Sequence, residues 1–288
     1  CVRNSKKYEG NFMLTIDRYL RPETLEEAYE AAQKKNSVIL GGMMWLRLGN
    51  RRIGTAIDLS ALGLDKVEET DDAYRIGAYA TLRELETHTG LNELTDFALR
   101  GALSPIVGVQ FRNLATVGGS VFGRYGFSDI ITLFLALNAS VELYKGGVMP
   151  LSEFCRAGML KSKERDILTC IHIPKENTVV SYKAQRNQKT DFPVLNVCAA
   201  LNGGRLSVAV GARPLRASVC LFDIAQDNES ETIAERTAGS LIFASNKRAS
   251  EEYRQHLCRV IVRRAVDEVF AKSADGGIRS GKPNPEVI

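Results

Sequence analysis

Hydrophobic positions along the chain change period in a way that marks successive elements. In RPETLEEAYEAAQKK, Leu25, Ala28, Tyr29 and Ala32 fall at i, i+3, i+4 and i+7, one apolar stripe of a helix. Thr24 and Glu27 have capping-box spacing, and Lys34 and Lys35 suit the negative end of the helix dipole. SVILGGMMWLRL reads as a short apolar strand that breaks at Gly41-Gly42 and resumes as an apolar stretch. TAIDLS and YRIGAYA have strand character, and TLRELETH repeats the capping-box spacing at Thr81 and Glu84. ELTDFALRGALSPIVG is helical up to Pro105.

RNLATVGGSV continues as an apolar, strand-like run that carries a second glycine pair. The dense apolar segment SDIITLFLALN predicts a buried helix with Ser128 or Asp129 as its N-cap. ASVELYKGGVMPLSEF predicts a strand, a Gly-Gly turn and a short helix. Past about residue 165 the pattern turns to strands in DILTCIHIP, VVSYKAQR and VLNVCAALNGGRLSVAVGA, the last with a hairpin signal at Asn-Gly-Gly. SEEYRQHLCRVIVRRAVDEVF is a long amphipathic helix. Runs of strands and runs of helices without regular βαβ alternation predict an α+β architecture, with a domain boundary near Pro174 to Thr178.

Composition excludes several classes of function. A net charge of +4 is small and dispersed, so nothing argues for nucleic acid. No run reaches the roughly 18 apolar residues that span a bilayer. The polar residues 1–12 lack the core of a signal peptide and read as leader sequence before a native start at Met13. The six cysteines show no C-x-x-C spacing and the three histidines are far apart in sequence. The expectation is therefore reduced thiols in a cytoplasmic protein, without a metal or iron–sulfur site of its own.

The two glycine pairs carry the candidate chemistry. Glycine permits positive φ and close backbone approach, and successive amides in such a bend can converge on an anion. Thr116 and Ser120 add hydroxyls beside Gly118-Gly119. Two such bends from separate parts of the chain would clamp a pyrophosphate; the plainer reading of each is a turn or bulge. Neither is a P-loop or a G-x-G-x-x-G fingerprint.

The ordered set LGGMMWLRL, AIDLS, RIGAYATLREL, QFRNLATVGGSV, SDIITLFLALNASVEL and PLSEF resembles the FAD-binding subunit of molybdenum hydroxylases, the flavoprotein of the xanthine dehydrogenase and carbon monoxide dehydrogenase type. The likeness runs from about Met13 to Ala212. It implies a two-subdomain FAD-binding fold of the vanillyl-alcohol-oxidase (PCMH-like) type over residues 13–174. A small α+β domain with an antiparallel sheet and helices would follow over residues 175–288.

Residue by residue, Leu40, Gly41, Gly42, Met43, Met44, Trp45, Leu46 and Arg47 match the family's first FAD loop. Thr116, Val117, Gly118, Gly119 and Ser120 match its second loop, the two holding the pyrophosphate largely through backbone amides. Asp129 matches an acidic residue for ribityl or ribose hydroxyls, a role compatible with a helix cap. Ile106 matches an apolar contact near the adenine, and Leu168 and Lys183 match positions lining the isoalloxazine.

The chain departs from the family where Leu40, Met43 and Met44 replace Ala and Thr-Asp, where Ser120 replaces Asn, and where Phe127 replaces a proline. Met43, Met44 and Trp45 read equally well as core or subunit-contact residues. No histidine or cysteine lies at the loops, which implies non-covalent FAD. The resemblance implies partners as well: an iron–sulfur small subunit, a molybdopterin large subunit and NAD as a possible acceptor, with no catalytic acid or base in this chain. A stand-alone flavoenzyme of the same fold and a flavin-free assembly subunit are the alternatives.

Overall fold

A computed structural model describes residues 13–156 and 165–274. The leader expected over residues 1–12 lies outside the described residues. The chain opens with β1 (Thr15–Leu20), α1 (Leu25–Gln33), β2 (Ser37–Leu40) and β3 (Arg52–Asp58), whose strands form a sheet of order β1-β3-β2. Both pairings are parallel, so this unit does contain the βαβ crossover that the sequence reading did not anticipate. A parallel pair needs such a crossover, and α1 supplies it by laying Ala28, Ala31 and Ala32 on the sheet. Thr24 caps α1 by accepting the Glu27 N–H at 3.2 Å, while the Glu27 carboxylate reaches past it to the Glu23 N–H at 3.0 Å.

The middle unit contains β4 (Val67–Glu69), β5 (Ala73–Gly77), α2 (Leu82–Thr87), α3 (Thr89–Leu94), α4 (Ala98–Leu103), α5 (Val109–Arg112), α6 (Val117–Phe122) and α7 (Asp129–Ala136). It closes with β6 (Ser140–Leu143), β7 (Gly147–Pro150), α8 (Leu151–Arg156) and β8 (Leu168–Pro174). Its five strands pair antiparallel in the order β4-β5-β8-β6-β7. Thr81 and Glu84 form the complete capping box at α2, with bonds of 3.1 and 2.6 Å. A buried bidentate pair, Arg112 Nε and Nη2 on Glu86 at 2.7 and 3.0 Å, ties α5 to α2. Every residue of α7 is buried, as its unbroken apolar run predicts.

The third unit holds β9 (Val179–Arg186), β10 (Pro193–Asn202), β11 (Arg205–Gly211), β12 (Ser218–Asp223), α9 (Ser230–Ser240) and α10 (Glu251–Ala274). The sheet is antiparallel, order β12-β11-β10-β9. Asn202 pairs with Arg205 around Gly203 and Gly204, both at positive φ, which is the two-residue hairpin that Asn-Gly-Gly predicts. One face of this sheet packs on α9 and α10, the other on α7. Helix α7 is thus shared between the middle and third units. Among the described residues no helix is long and apolar enough to cross a membrane.

Candidate functional site

The first glycine bend leaves β2 and runs Gly41, Gly42, Met43, Met44, Trp45 into a single 3-10 turn at Leu46–Leu48. Gly42 and Met43 both have positive φ, 56° and 57°. The turn closes on itself through Met43 N–H to Gly41 O at 2.5 Å and Arg47 N–H to Met43 O at 3.0 Å. Tyr79 braces it from the middle unit: its hydroxyl donates to the Leu40 carbonyl and accepts the Leu59 N–H at 2.9 Å. Burial drives the Tyr79 phenol well above its ordinary pKa, so it stays a donor.

The second bend is a helix start, where the sequence predicted a strand-like run. Thr116 caps α6 by accepting the Gly119 N–H at 3.1 Å, and Val117 and Val121 anchor the helix in the core. The reason is tertiary. Val117 N–H bonds to Ala80 O and Gly118 N–H to Ala78 O, both at 2.8 Å, which fixes the turn against the segment after β5.

The two bends lie against each other. A Cβ on Gly41 would stand 2.9 Å from Thr116 Oγ1 and 3.5 Å from the Gly119 Cα. One on Gly119 would meet Thr116 Oγ1 at 3.0 Å and Gly41 O at 3.4 Å. Gly42 could not carry one at all, because it would sit 2.1 Å from Leu114 O. The glycines therefore let two chain segments touch, and they leave donors beside the contact. Among the described residues the N–H groups of Gly42, Met44 and Trp45 have no acceptor. Thr116 Oγ1 accepts from Gly119 and keeps its own hydrogen to donate. This donor set suits an anionic bridge.

Of the departures from the family pattern, Met44 is core, at 7% exposure, and Met43 packs half-buried beside Leu40 and Ile53. Trp45 is 44% exposed and joins an aromatic cluster. Its ring lies 5.6 Å from Phe192, 5.7 Å from Tyr125 and 5.9 Å from Phe127. Phe127, which stands where the family has proline, thus meets the altered first loop in space.

Asp129 is the first residue of α7, and Ser128 is its cap, accepting the Ile131 N–H at 3.3 Å. The Asp129 carboxylate is 5% exposed. Its Oδ1 accepts from Arg186 Nη2 at 2.7 Å, from Asn196 Nδ2 at 3.2 Å and from the Tyr182 hydroxyl. Burial pushes its pKa up, against the opposing pull of Arg186, Tyr182 and Asn196. Tyr182, half-buried, is pushed well above the ordinary phenol value by desolvation and by Asp129.

Tyr182, Ala184 and Arg186 line a cleft of about 380 Å³ together with Gly101, Pro105 and Gln185. Ile106, next to Pro105, is half-buried, and its carbonyl accepts from Arg112 Nη1 at 2.9 Å. The cleft is thus one residue from Ile106 and one hydrogen bond from Asp129.

Lys183 and Leu168 lie elsewhere. Strand alternation sends Lys183 to the opposite face of β9 from Tyr182, where its Nζ meets Glu268 of α10 at 2.5 Å. Leu168 is buried at 5% in the core of the middle unit. The resemblance points to Lys183, whereas the two-residue period of VVSYKAQR puts Tyr182 and Arg186 together on the face that meets Asp129 and the cleft.

The paired bends, with three amides that have no acceptor among the described residues, form a donor surface of the kind that suits an anionic group. A family model for the FAD binding domain in molybdopterin dehydrogenase matches residues 11–176, more than half of the chain, and the chain belongs to that family. Its cofactor is FAD. A xanthine dehydrogenase FAD-binding subunit from Escherichia coli O157:H7 is 28% identical over 296 residues, covering 92% of this chain and 99% of that protein. A nicotine 6-hydroxylase medium subunit from Paenarthrobacter nicotinovorans is 25% identical over 279 residues, covering 89% and 98%. Among solved structures, a chain of carbon monoxide dehydrogenase from Hydrogenophaga pseudoflava superposes with a TM-score of 0.76. The match covers 88% of this chain and 97% of that one, at 18% identity. That likeness establishes the mixed α/β fold.

Proposed function

We propose that this chain is the FAD-binding electron-transfer subunit of a multi-subunit molybdenum hydroxylase. The observation that carries the reading is the contact between Gly41 and Gly119, which joins two distant sequence motifs into one donor surface. On this reading the first two units form a vanillyl-alcohol-oxidase-type FAD fold over residues 13–174 and the third unit covers one side of it. The amides of Gly42, Met44 and Trp45 and the Thr116 hydroxyl hold the diphosphate, and Leu40, Leu46 and Arg47 frame the bend. Val117, Gly118, Gly119 and Ser120 set the wall it rests on, since their amides are bonded within the protein.

Asp129 has a second oxygen, Oδ2, that accepts no hydrogen bond among the described residues and is available to a ribityl or ribose hydroxyl. Ile106 contributes an apolar wall. Tyr182 and Arg186 orient Asp129 and border the cleft. Leu168 and Lys183 act behind the site, through the core and through the pairing with α10.

FAD, when bound, supplies the redox chemistry that links iron–sulfur clusters to NAD or another acceptor. The chain itself binds, orients and shields the cofactor without covalent attachment. Substrate oxidation belongs to a molybdopterin large subunit, and electron delivery to an iron–sulfur small subunit. The names of the relatives, medium and FAD-binding subunits of hydroxylases and dehydrogenases, support this division of labour.

Co-expression with the two partner subunits tests it. The expected result is a complex whose yellow chain releases one FAD on denaturation and bleaches when the complex receives its substrate. A chain that oxidises a substrate alone would instead favour the stand-alone flavoenzyme. A colourless chain that still assembles would favour the flavin-free subunit.

A further inference from the structure

The outer face of the five-stranded sheet carries a group that no spacing rule reveals. Register pairs Glu142 of β6 with Cys170 of β8, and Arg75 of β5 with His172 of β8. Cys170 and His172, two residues apart on one strand, share a face; Ile171 and Ile173 between and after them turn into the core. Three different ligand atoms are thereby brought together: a Glu142 carboxylate oxygen, Cys170 Sγ and a His172 ring nitrogen all lie within 4.8 Å of one another. His172 Nε2 and Glu142 Oε2 are 2.9 Å apart.

We propose that Glu142, Cys170 and His172 form a binding site for a zinc-class divalent cation, separate from the FAD site. A tetrahedral zinc ion with bonds of about 2.0–2.3 Å to N, O and S holds its ligands roughly 3.3–3.7 Å apart, so small side-chain rotations close the set. Sulfur and imidazole beside one carboxylate select a borderline-soft metal; magnesium and calcium require oxygen ligands. A cavity of about 250 Å³ opens beside Glu142 and Cys170, lined also by Gly63, Gly77, Glu68 and Tyr144. Gly77, paired with Cys170, lets the Leu64 carbonyl close in on the strand, and the cavity beside Glu142 and Cys170 leaves a fourth coordination position for water.

Arg75 is the competitor. Its Nη2 stands 3.5 Å from Glu142 Oε2, and its side chain is 44% exposed, so it can swing to solvent as the cation takes over the carboxylate. Lys66 and Glu68, the other charges lining the cavity, cancel. Binding converts the Cys170 thiol to thiolate and releases one proton to solvent. The bound ion would clip β6 to β8 and stabilise the folded chain by mass action.

Titration of the reduced, FAD-loaded full chain with Zn2+ alone tests the site, read by calorimetry in two buffers and by the shift in Tm. The expected result is one Zn2+ per chain, proton release and a higher Tm. Glu142→Gln and His172→Gln, which keep side-chain size, should each weaken binding by more than the roughly 10–100-fold that loss of an outer-shell partner costs. With Co2+ as the probe, a thiolate-to-cobalt absorption band should vanish in Cys170→Ser and persist in Cys220→Ser. Absence of stoichiometric Zn2+ binding would overturn the proposal. So would a Zn2+ affinity unchanged in both glutamine variants, because that places the ion elsewhere.

Discussion

The two glycine pairs share a dipeptide and little else. In the second, the amides of Val117, Gly118 and Gly119 are all bonded inside the protein, and Thr116 caps the helix they begin. In the first, the chain is irregular, two successive residues have positive φ, and three amides have no acceptor among the described residues. The same lack of a Cβ thus serves opposite ends. The second pair builds a wall close to Ala78, and the first lies against that wall with its donors free. Glycine pairs announce close approach; only the surrounding hydrogen bonds tell whether protein or ligand is approached.

This contrast can be broken experimentally, beginning with its frame. Asp129→Asn would leave the Arg186 guanidinium without its counter-charge at the start of α7. It should cost about 3–5 kcal/mol, read as a fall in the denaturant midpoint, with FAD lost in parallel. Gly118→Ala forces a methyl to 2.6 Å from Ala78 O and 2.7 Å from its Cβ. Backbone must move, so the expected loss is about 3 kcal/mol in Tm analysis, again with stability and FAD affinity falling together.

Gly41→Ala meets mainly the Thr116 side chain and should separate the two quantities. Stability falls by no more than the roughly 0.5–2 kcal/mol of a weakened Thr116 cap, while displacement of one amide from a charged oxygen, worth about 1.5–3 kcal/mol, weakens FAD about ten- to a hundredfold by titration.

The smallest effect concerns the far side of the third sheet. Burial works to raise the Glu268 pKa, yet hydrogen bonds from Lys183 and Lys272 outweigh it and hold the group at about 2, below its ordinary 4.5. A depressed carboxyl contributes stability above its unfolded pKa and loses it as pH falls through the folded one. Acid unfolding between pH 4.5 and about 2 should therefore be shallower in Glu268→Gln. FAD affinity at neutral pH should stay unchanged, since Lys183 faces α10.

Elements with strong local signals were legible in the sequence. The Thr81–Glu84 box, the Asn-Gly-Gly hairpin and α10 all appear where the pattern puts them. Helix α9 was not anticipated, because the residues it buries are Ile233, Ala234, Thr237 and Ala238, too small and mixed to make an apolar stripe. Helix α6 was hidden by its own glycines, whose low propensity is overridden by the Thr116 cap and by Val117 and Val121 in the core. Beyond the glycine pairs and Asp129, the candidate site was less visible. The partners of Asp129 come from β9 and β10, and which residues of β9 face it depends on strand parity. The Glu142–Cys170–His172 group is likewise a product of register between strands, which spacing along one chain cannot express.

Trp45 is the chain's single tryptophan, and it sits on the first bend. Its fluorescence on titration with FAD is therefore the most direct probe of whether the paired bends hold the cofactor. Saturable quenching at one FAD per chain, weakened about ten- to a hundredfold in Gly41→Ala with a smaller loss of stability, is the predicted result. Quenching of equal affinity in both proteins, or none in either, would contradict it.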